Sequence, residues 1–263
     1  MLSPSNPVRF YISHNTRKAL RAAQNSLARR RFARELSASR LPVLVAEHST
    51  PIYRVLPGVD RVLFENKKTN LRLALAAANG IVIRPGEIFS LWGLVGNPSA
   101  GRGFKPGLVI KSGRAAVGVG GGLCQLSNAI HWLALHSELE VTERHRHSFD
   151  IFPDDSRAVP FGTGATISYN YKDLRFANNG GLSYQLVLEL TEENLAARLY
   201  ASAEPAYRYS IEEEDKRFVT TADGLFRANS IWRVKTERNG TPASRKMLFA
   251  NYCLCRYGLE KPQ

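Results

Sequence analysis

The sequence predicts an α+β protein, with a mixed or antiparallel sheet, a few helices and a β-dominated C-terminal half. Two patterns carry that prediction. Leu123, Leu126, Ile130 and Leu133 recur at spacings of three and four, which puts one face of a helix over residues 123–137 into a core. After Val141 the pattern changes: alternating, β-branched and aromatic residues fill 165–171, 182–190, 196–203 and 229–234, as in half-buried strands. No internal repeat links these segments, so a repeat architecture is excluded.

The remaining elements follow in chain order. Residues 14–36 are Arg-rich and nearly acid-free, and Ala28, Phe32 and Leu36 lie four apart, as on one side of a cationic amphipathic helix. Such a helix either packs by its apolar side in an ordinary surface or contacts a membrane or nucleic acid. Pro42, Pro51 and Pro57-Gly58 mark a connector, dividing a basic N-terminal extension, 1–60, from a main domain, 61–263. Residues 70–79 read as a short helix with Asn70 as N-cap and Gly80 as its stop. Ile81 to Ile83 reads as a strand, Pro85-Gly86 as a turn, and 93–122 as a glycine-rich loop with one strand near 108–111. A strand over 141–152 should follow the main helix.

Composition narrows the function classes. With 44% hydrophobic residues in 263, the chain can bury a sizeable core. Of the three cysteines, Cys253 and Cys255 are too close for ordinary bridging and Cys124 stands alone, so no disulfide framework is encoded and a reducing compartment follows. Thirty-six Lys and Arg against 23 Asp and Glu give a net charge of +13, which favours an anionic polymer, a membrane surface or nucleic acid as partner. Nucleic acid is disfavoured, because no nucleic-acid motif appears and the charge is spread along the chain. The first forty residues lack a signal-peptide core, and the apolar run at 41–46 is too short for a transmembrane segment. A cytoplasmic or membrane-peripheral location is therefore expected.

The chemistry concentrates at GVGGGLCQ, residues 118–125, where a glycine loop runs into the helix. A cysteine at that junction faces free N–H groups and the positive end of the helix dipole, which favour thiolate. Gly120, Gly121 and Gly122 allow close backbone approach and can aim donors at an oxyanion, with Gln125 beside them. The alternative is a small apolar cysteine packed behind the loop. A nucleophilic Cys124 needs a base, and His131 lies about 10 Å along the helix axis, with His136 further still. His145 and His147 are better placed, two apart on the next strand and so on one side of it; one would act as base and the other contact substrate. Asp150, Asp154, Asp155 and Asn170 are the candidates for a third group, although Asp150 falls on the opposite face of a regular strand.

Cys124, His145 and His147 are also the right donors for zinc, but their spacing is not a zinc signature, so no metal site is expected. The glycine loop lacks the Lys and Ser/Thr of a phosphate-binding loop, and Gly118-Val119-Gly120 is not completed as a dinucleotide fingerprint. No cofactor is expected.

Four stretches carry a family resemblance: NLRLALAAANG then PGEIFSLWGLVG within 70–96, GGGLCQLSN at 120–128, ERHRHSFDIFPD at 143–154, and PFGTGATISYNYKDLRFANN at 160–179. In order and spacing the chain resembles the VanW family, most strongly over 70–190. VanW domains of some multidomain members look like cysteine-dependent L,D-transpeptidases, which join peptidoglycan stem peptides through an acyl-enzyme. The resemblance implies Cys124 as nucleophile and His147, of the His147-Ser148 pair, as its base. At Gly164, where many multidomain members carry Asp in a G-x-DAT segment, this chain has no acid. Two functions are therefore in view. One is an acyltransferase or hydrolase acting on a peptide or cell-envelope precursor, with Gly120, Gly121, Gly122, Gln125, His145, Ser148 and Asp150 around the substrate. The other is a non-catalytic basic module that binds an anionic envelope component as an accessory to glycopeptide resistance.

Overall fold

The computed structural model describes residues 16, 21–23, 25–26, 31–53, 60–111, 114–146, 150 and 159–256. Along the chain run β1 (Glu35–Leu36), β2 (Val43–Pro51), helix α1 (Arg61–Ala78), β3 (Ile81–Ile83), β4 (Ile88–Ser90), α2 (Leu91–Val95), β5 (Pro106–Lys111) and β6 (Arg114–Val119). Helix α3 (Cys124–Leu135) and β7 (Glu140–Glu143) follow. The C-terminal part holds β8 (Arg175–Ala177), β9 (Tyr184–Leu190), β10 (Asn194–Ala201), β11 (Tyr207–Thr221), β12 (Gly224–Glu237) and β13 (Pro242–Leu254). The protein is α+β with a strand-rich C-terminal half, as the sequence predicts.

The core lies between one sheet and two helices. That sheet is antiparallel, in the order β1-β3-β9-β10-β2. Its register pairs Leu186 with Leu199, Leu188 with Ala197 and Tyr184 with Ala201. Because side chains alternate across a strand, these residues share one face, and all of them are buried. Leu71, Ala74, Leu75 and Ala78 of α1 and Leu126, Ala129, Ile130, Leu133 and Ala134 of α3 join them in one cluster. A second sheet, β4-β8-β7, adds Phe89 stacked on Phe176 with ring centroids 4.4 Å apart. The long strands β11, β12 and β13 form a third sheet, and β5 pairs with β6 as a hairpin.

Several elements differ from the sequence reading. Helix α1 begins nine residues before Asn70: Asp60 is its N-cap, its carboxylate accepting from the Val62 N–H at 2.9 Å. Asn70 is instead a wholly buried mid-helix residue. Gly80 does end this helix, with φ +81°. The loop at 93–122 holds two strands, because β6 pairs along the whole of β5. Residues 165–171 form no named strand; the Thr166 N–H bonds the His145 carbonyl at 2.7 Å, and the Ser168 N–H bonds the Lys172 carbonyl. The strand expected over 141–152 stops at Glu143. In the basic N-terminal segment, Thr16, Arg21–Ala23 and Asn25–Ser26 are helical, whereas Phe32 bridges to Ile88 and Leu36 sits in β1, 49% exposed. The amphipathic spacing therefore does not continue as helix to Leu36. Residues 35–51, in the stretch read as an N-terminal extension, supply both edge strands of the main sheet.

One close approach fixes the glycine loop. A Cβ added at Gly121 would lie 2.1 Å from the Gly107 carbonyl carbon, which no real side chain tolerates. The Asn70 side chain secures the same place from α1, donating to the Lys105 and Gly121 carbonyls at 3.0 and 2.9 Å and accepting from the Lys105 N–H at 2.7 Å. Gly121→Ala should therefore destabilise the fold by about 3 kcal/mol or more, because backbone rather than a flexible side chain must yield. Gly181→Ala, which meets nothing within 4 Å, should change stability by less than about 0.5 kcal/mol. Denaturant unfolding of both variants checks the contrast, and equal effects would show that the contact is not a constraint.

Candidate functional site

Cys124 is the first residue of α3, directly after the glycine loop. The loop reaches that point through Gly120 and Gly122, whose φ values of +77° and +93° favour glycine. Its backbone donors are already engaged. Gly120 N–H bonds the Lys105 carbonyl at 3.0 Å, Gly121 N–H the Gly118 carbonyl at 3.1 Å, Gly122 N–H the Leu108 carbonyl at 3.1 Å, and Gln125 N–H the Gly122 carbonyl at 3.0 Å. These groups hold the loop shut rather than facing a ligand. The Gln125 side chain is likewise engaged, donating to Thr50 Oγ1 at 2.6 Å and the Pro51 carbonyl at 2.9 Å on β2.

The Cys124 thiol lies against segment 165–167. Its sulfur is 3.9 Å from Thr166 Oγ1, and the Ile167 N–H donates to it. Helix α3 grips the same segment one turn on: Ser127 Oγ donates to the Ala165 carbonyl at 2.5 Å, and Asn128 Oδ1 accepts from the Ala165 N–H at 2.7 Å. Arg144 holds the approach to this segment, its Nε donating to the Gly164 carbonyl at 2.9 Å while a second guanidinium nitrogen donates to the Gly162 carbonyl. On its other side, the Thr166 N–H bond to the His145 carbonyl brings the chain after β7 to the same ledge.

Burial pushes the Cys124 thiol above its ordinary pKa, opposed by the Ile167 N–H, the Thr166 hydroxyl and the Lys172 charge. The lowered pKa expected of a cysteine at a helix N-terminus is therefore not found, because desolvation outweighs the donors. The thiol is neutral at rest.

The sequence-predicted partners among the described residues are engaged elsewhere. His145 is half-buried, and its Nε2 lies 3.0 Å from Glu143 Oε1. Glu143 also pairs with Arg21 and with Arg175, and accepts from the Asp173 N–H at 2.9 Å. Arg175 Nε in turn meets Asp173 Oδ2 at 2.8 Å, and the buried Asp173 accepts from Ser90 Oγ at 2.6 Å and the Trp92 N–H at 3.0 Å. The His145 imidazole thus belongs to a charged network that runs inward to the start of α2. Asp150 is buried against β13, its N–H on the Leu254 carbonyl, the Arg256 N–H on its own carbonyl, and its carboxylate 3.6 Å from Arg227 Nη1. Asn170 is a turn residue with φ +52°. His147, Ser148, Asp154 and Asp155 lie outside the described residues. His131 is sealed in the core, with Nδ1 2.6 Å from the Thr163 carbonyl, and burial lowers its pKa to about 3. Among the described residues, no group of three or more His, Cys, Asp or Glu side chains is placed to hold a metal ion.

The residues that form the site without having been singled out are Ser127, Asn128, Glu143, Thr166 and Ile167, and Asn70, read as a helix cap, holds the loop instead. Ser127 and Asn128 had a usable signal, since they follow Cys124 by three and four on one helix. Thr166 and Ile167 reach the sulfur only through the fold.

Comparison with known proteins agrees with the motifs. The family model described as VanW like protein matches residues 66–200. Vancomycin B-type resistance protein VanW of Enterococcus faecalis is 31% identical over 231 residues, covering 88% of this chain and 84% of that protein. The uncharacterized protein YoaR of Bacillus subtilis is 31% identical over 117 residues, 43% of this chain and 36% of that protein. No solved structure matches. The chain belongs to the VanW family.

A raised thiol pKa lowers the thiolate fraction near neutrality, so Cys124 should alkylate more slowly in the folded protein than in the unfolded chain. Its rate should climb with pH to a midpoint above that of an unperturbed cysteine. Peptide-resolved iodoacetamide labelling across pH checks this, and a midpoint below the ordinary thiol range would contradict it.

Proposed function

We propose that the chain is a cysteine-dependent acyltransferase or amidase-like hydrolase, similar to an L,D-transpeptidase, acting on a peptidoglycan peptide or another cell-envelope precursor. The observation that carries this reading is the convergence at Thr166. Its hydroxyl lies against the Cys124 sulfur, and its N–H holds the carbonyl of His145, two residues before His147. This meeting of Cys124 and the His145 backbone at one residue is what supports the reading.

In this mechanism Cys124 sulfur attacks the donor carbonyl while His147 takes the thiol proton. The C–N bond then breaks, and the leaving amine departs with that proton, leaving a thioester on Cys124. An acceptor amine, or water, attacks the thioester and gives its proton to His147. The acyl group leaves as a new amide or an acid, and the proton returns to sulfur. A thiol neutral at rest requires that base at the first step. With the N–H groups of Gly120, Gly121 and Gly122 engaged, those of Leu123 and Cys124, at the positive end of α3, are the ones that would meet the oxyanion. His145 and Ser148 would shape the surroundings of the substrate, whereas the Gln125 side chain is bound to β2 and Asp150 is buried against β13. The enterococcal relative's name places that protein in vancomycin resistance, and a role in glycopeptide resistance at the envelope is proposed here by that likeness.

A second reading draws on the raised thiol and the engaged loop donors: a non-catalytic module that binds an anionic envelope component. A single assay separates the two, with a stem-peptide donor, an acceptor amine and product followed by mass. Cys124→Ser and His147→Ala should each lower turnover roughly 100-fold or more while donor binding survives. Wild-type turnover in Cys124→Ser, or no turnover by the unmodified protein, would leave the binding module as the better account.

A further inference from the structure

The two stretches of chain that meet at the Cys124 sulfur contain no carboxylate. Residues 88–137, which include the glycine loop and α3, hold no Asp or Glu, and residues 156–172 hold none either. The second stretch places Thr166 Oγ1 3.9 Å from the sulfur and gives it the Ile167 N–H. It then closes as a turn, in which Ser168 and Lys172 exchange both backbone hydrogen bonds, at 2.9 and 2.8 Å. Trp92 Nε1 fixes the end of that turn, donating to the Lys172 carbonyl at 2.8 Å. The Lys172 backbone is thereby held at the site; its side chain is half-buried, and its charge acts on the Cys124 thiol.

The charges around this place do not balance. Glu143 and Asp173 are matched by Arg21 and Arg175, and the Asp173 carboxylate also accepts from Ser90 Oγ and the Trp92 N–H. Asp150 faces Arg227. Lys172 and Arg144 remain. The Lys172 ammonium stands 5.9 Å from the centre of the Tyr171 ring and pairs with no carboxylate among the described residues. Arg144 donates to the Gly162 and Gly164 carbonyls, lies 3.9 Å from the centre of the Phe249 ring, and likewise has no carboxylate partner among the described residues. Burial and the neighbouring Arg146 charge lower the Arg144 pKa to about 10, as expected of a cation without a counter-ion. A partly desolvated cation lacking an anion is completed by a negative group on a ligand. Beside a thiol nucleophile, that ligand is the substrate.

We propose that Lys172 is a specificity residue of this site, binding a carboxylate on the acyl donor while Cys124 meets the donor carbonyl. An ammonium beside the sulfur suits a compact carboxylate, and Arg144, bound to the same segment at Gly162 and Gly164, adds to the attraction. The substrate class follows: a peptide with a free carboxylate close to the bond that is cut, rather than a neutral amide. This deepens the reading given above and rests on it for the reaction, though not for the binding of the anion.

A pair of alkylating reagents of similar size probes the charge without turnover. Iodoacetate carries a carboxylate and iodoacetamide does not, so the ratio of their rates at Cys124 reports a cation within reach of the reagent. That ratio should be about fivefold higher in the folded protein than in the unfolded chain, and Lys172→Gln should remove most of the gain while Lys172→Arg keeps it. In the transfer assay, a stem-peptide donor with a free carboxylate should exceed its amide by about tenfold in kcat/KM, and Lys172→Gln should erase that preference, chiefly through KM. A folded ratio no higher than the unfolded one, or one that Lys172→Gln leaves unchanged, overturns the proposal, as does equal turnover of the carboxylate and amide donors. If Lys172→Gln does not fold, the folded-to-unfolded ratio and the donor pair, both measured on the unmodified protein, still decide. No turnover of either donor, with a labelling ratio that is raised and depends on Lys172, would sink the acyltransferase reading alone and leave the anion site standing.

Discussion

The contact between Gly107 and Gly121, clamped by Asn70, is the constraint on which the candidate site rests. It sets the hairpin against α1 and thereby fixes where α3 begins. With Gly121 held on one side and the core residues Leu126, Ile130 and Leu133 on the other, Cys124 has little freedom. Glycine is required there because backbone meets backbone, and Asn70 is required because two carbonyls and one N–H need a buried partner in a helix that could not otherwise supply one.

The electrostatics of the site follow from that placement. Packing Cys124 against segment 165–167 strips water from the thiol, and three favourable neighbours do not restore what is lost. The chain concentrates its charged pairs one step away, where Glu143 gathers Arg21, Arg175 and His145, and Asp173 ties the cluster to α2. The result is a polar frame beside a thiol whose pKa burial raises above its ordinary value.

Legibility in the sequence tracked the strength of local patterns. Helix α3 was readable because its apolar spacing is regular and its core face is wholly buried. The start of α1 was not, because residues 61–69 include Arg61, Glu65, Asn66, Lys67 and Lys68, and an asparagine ahead of the apolar run looks like a cap. Strand β6 was missed because alanine and glycine alternate with its valines, and β11 because Glu212, Glu213 and Glu214 sit on a solvent-facing ribbon. Segment 165–171 carries strand-forming residues, yet its hydrogen bonds go to His145 and to its own turn. Cys124 was legible from its position after three glycines. Thr166, Ile167 and Glu143 were not, since only tertiary packing brings the first two to the sulfur and turns Glu143 onto His145.

The account turns on whether the Cys124 sulfur ever carries an acyl group. Intact-protein mass spectrometry after rapid quenching with a stem-peptide donor, followed by peptide mapping, measures this most directly. The account predicts a mass gain equal to the donor acyl group, confined to the peptide that contains Cys124 and lost on adding an acceptor amine. No adduct under turnover conditions, or one located at Cys253 or Cys255, would contradict it.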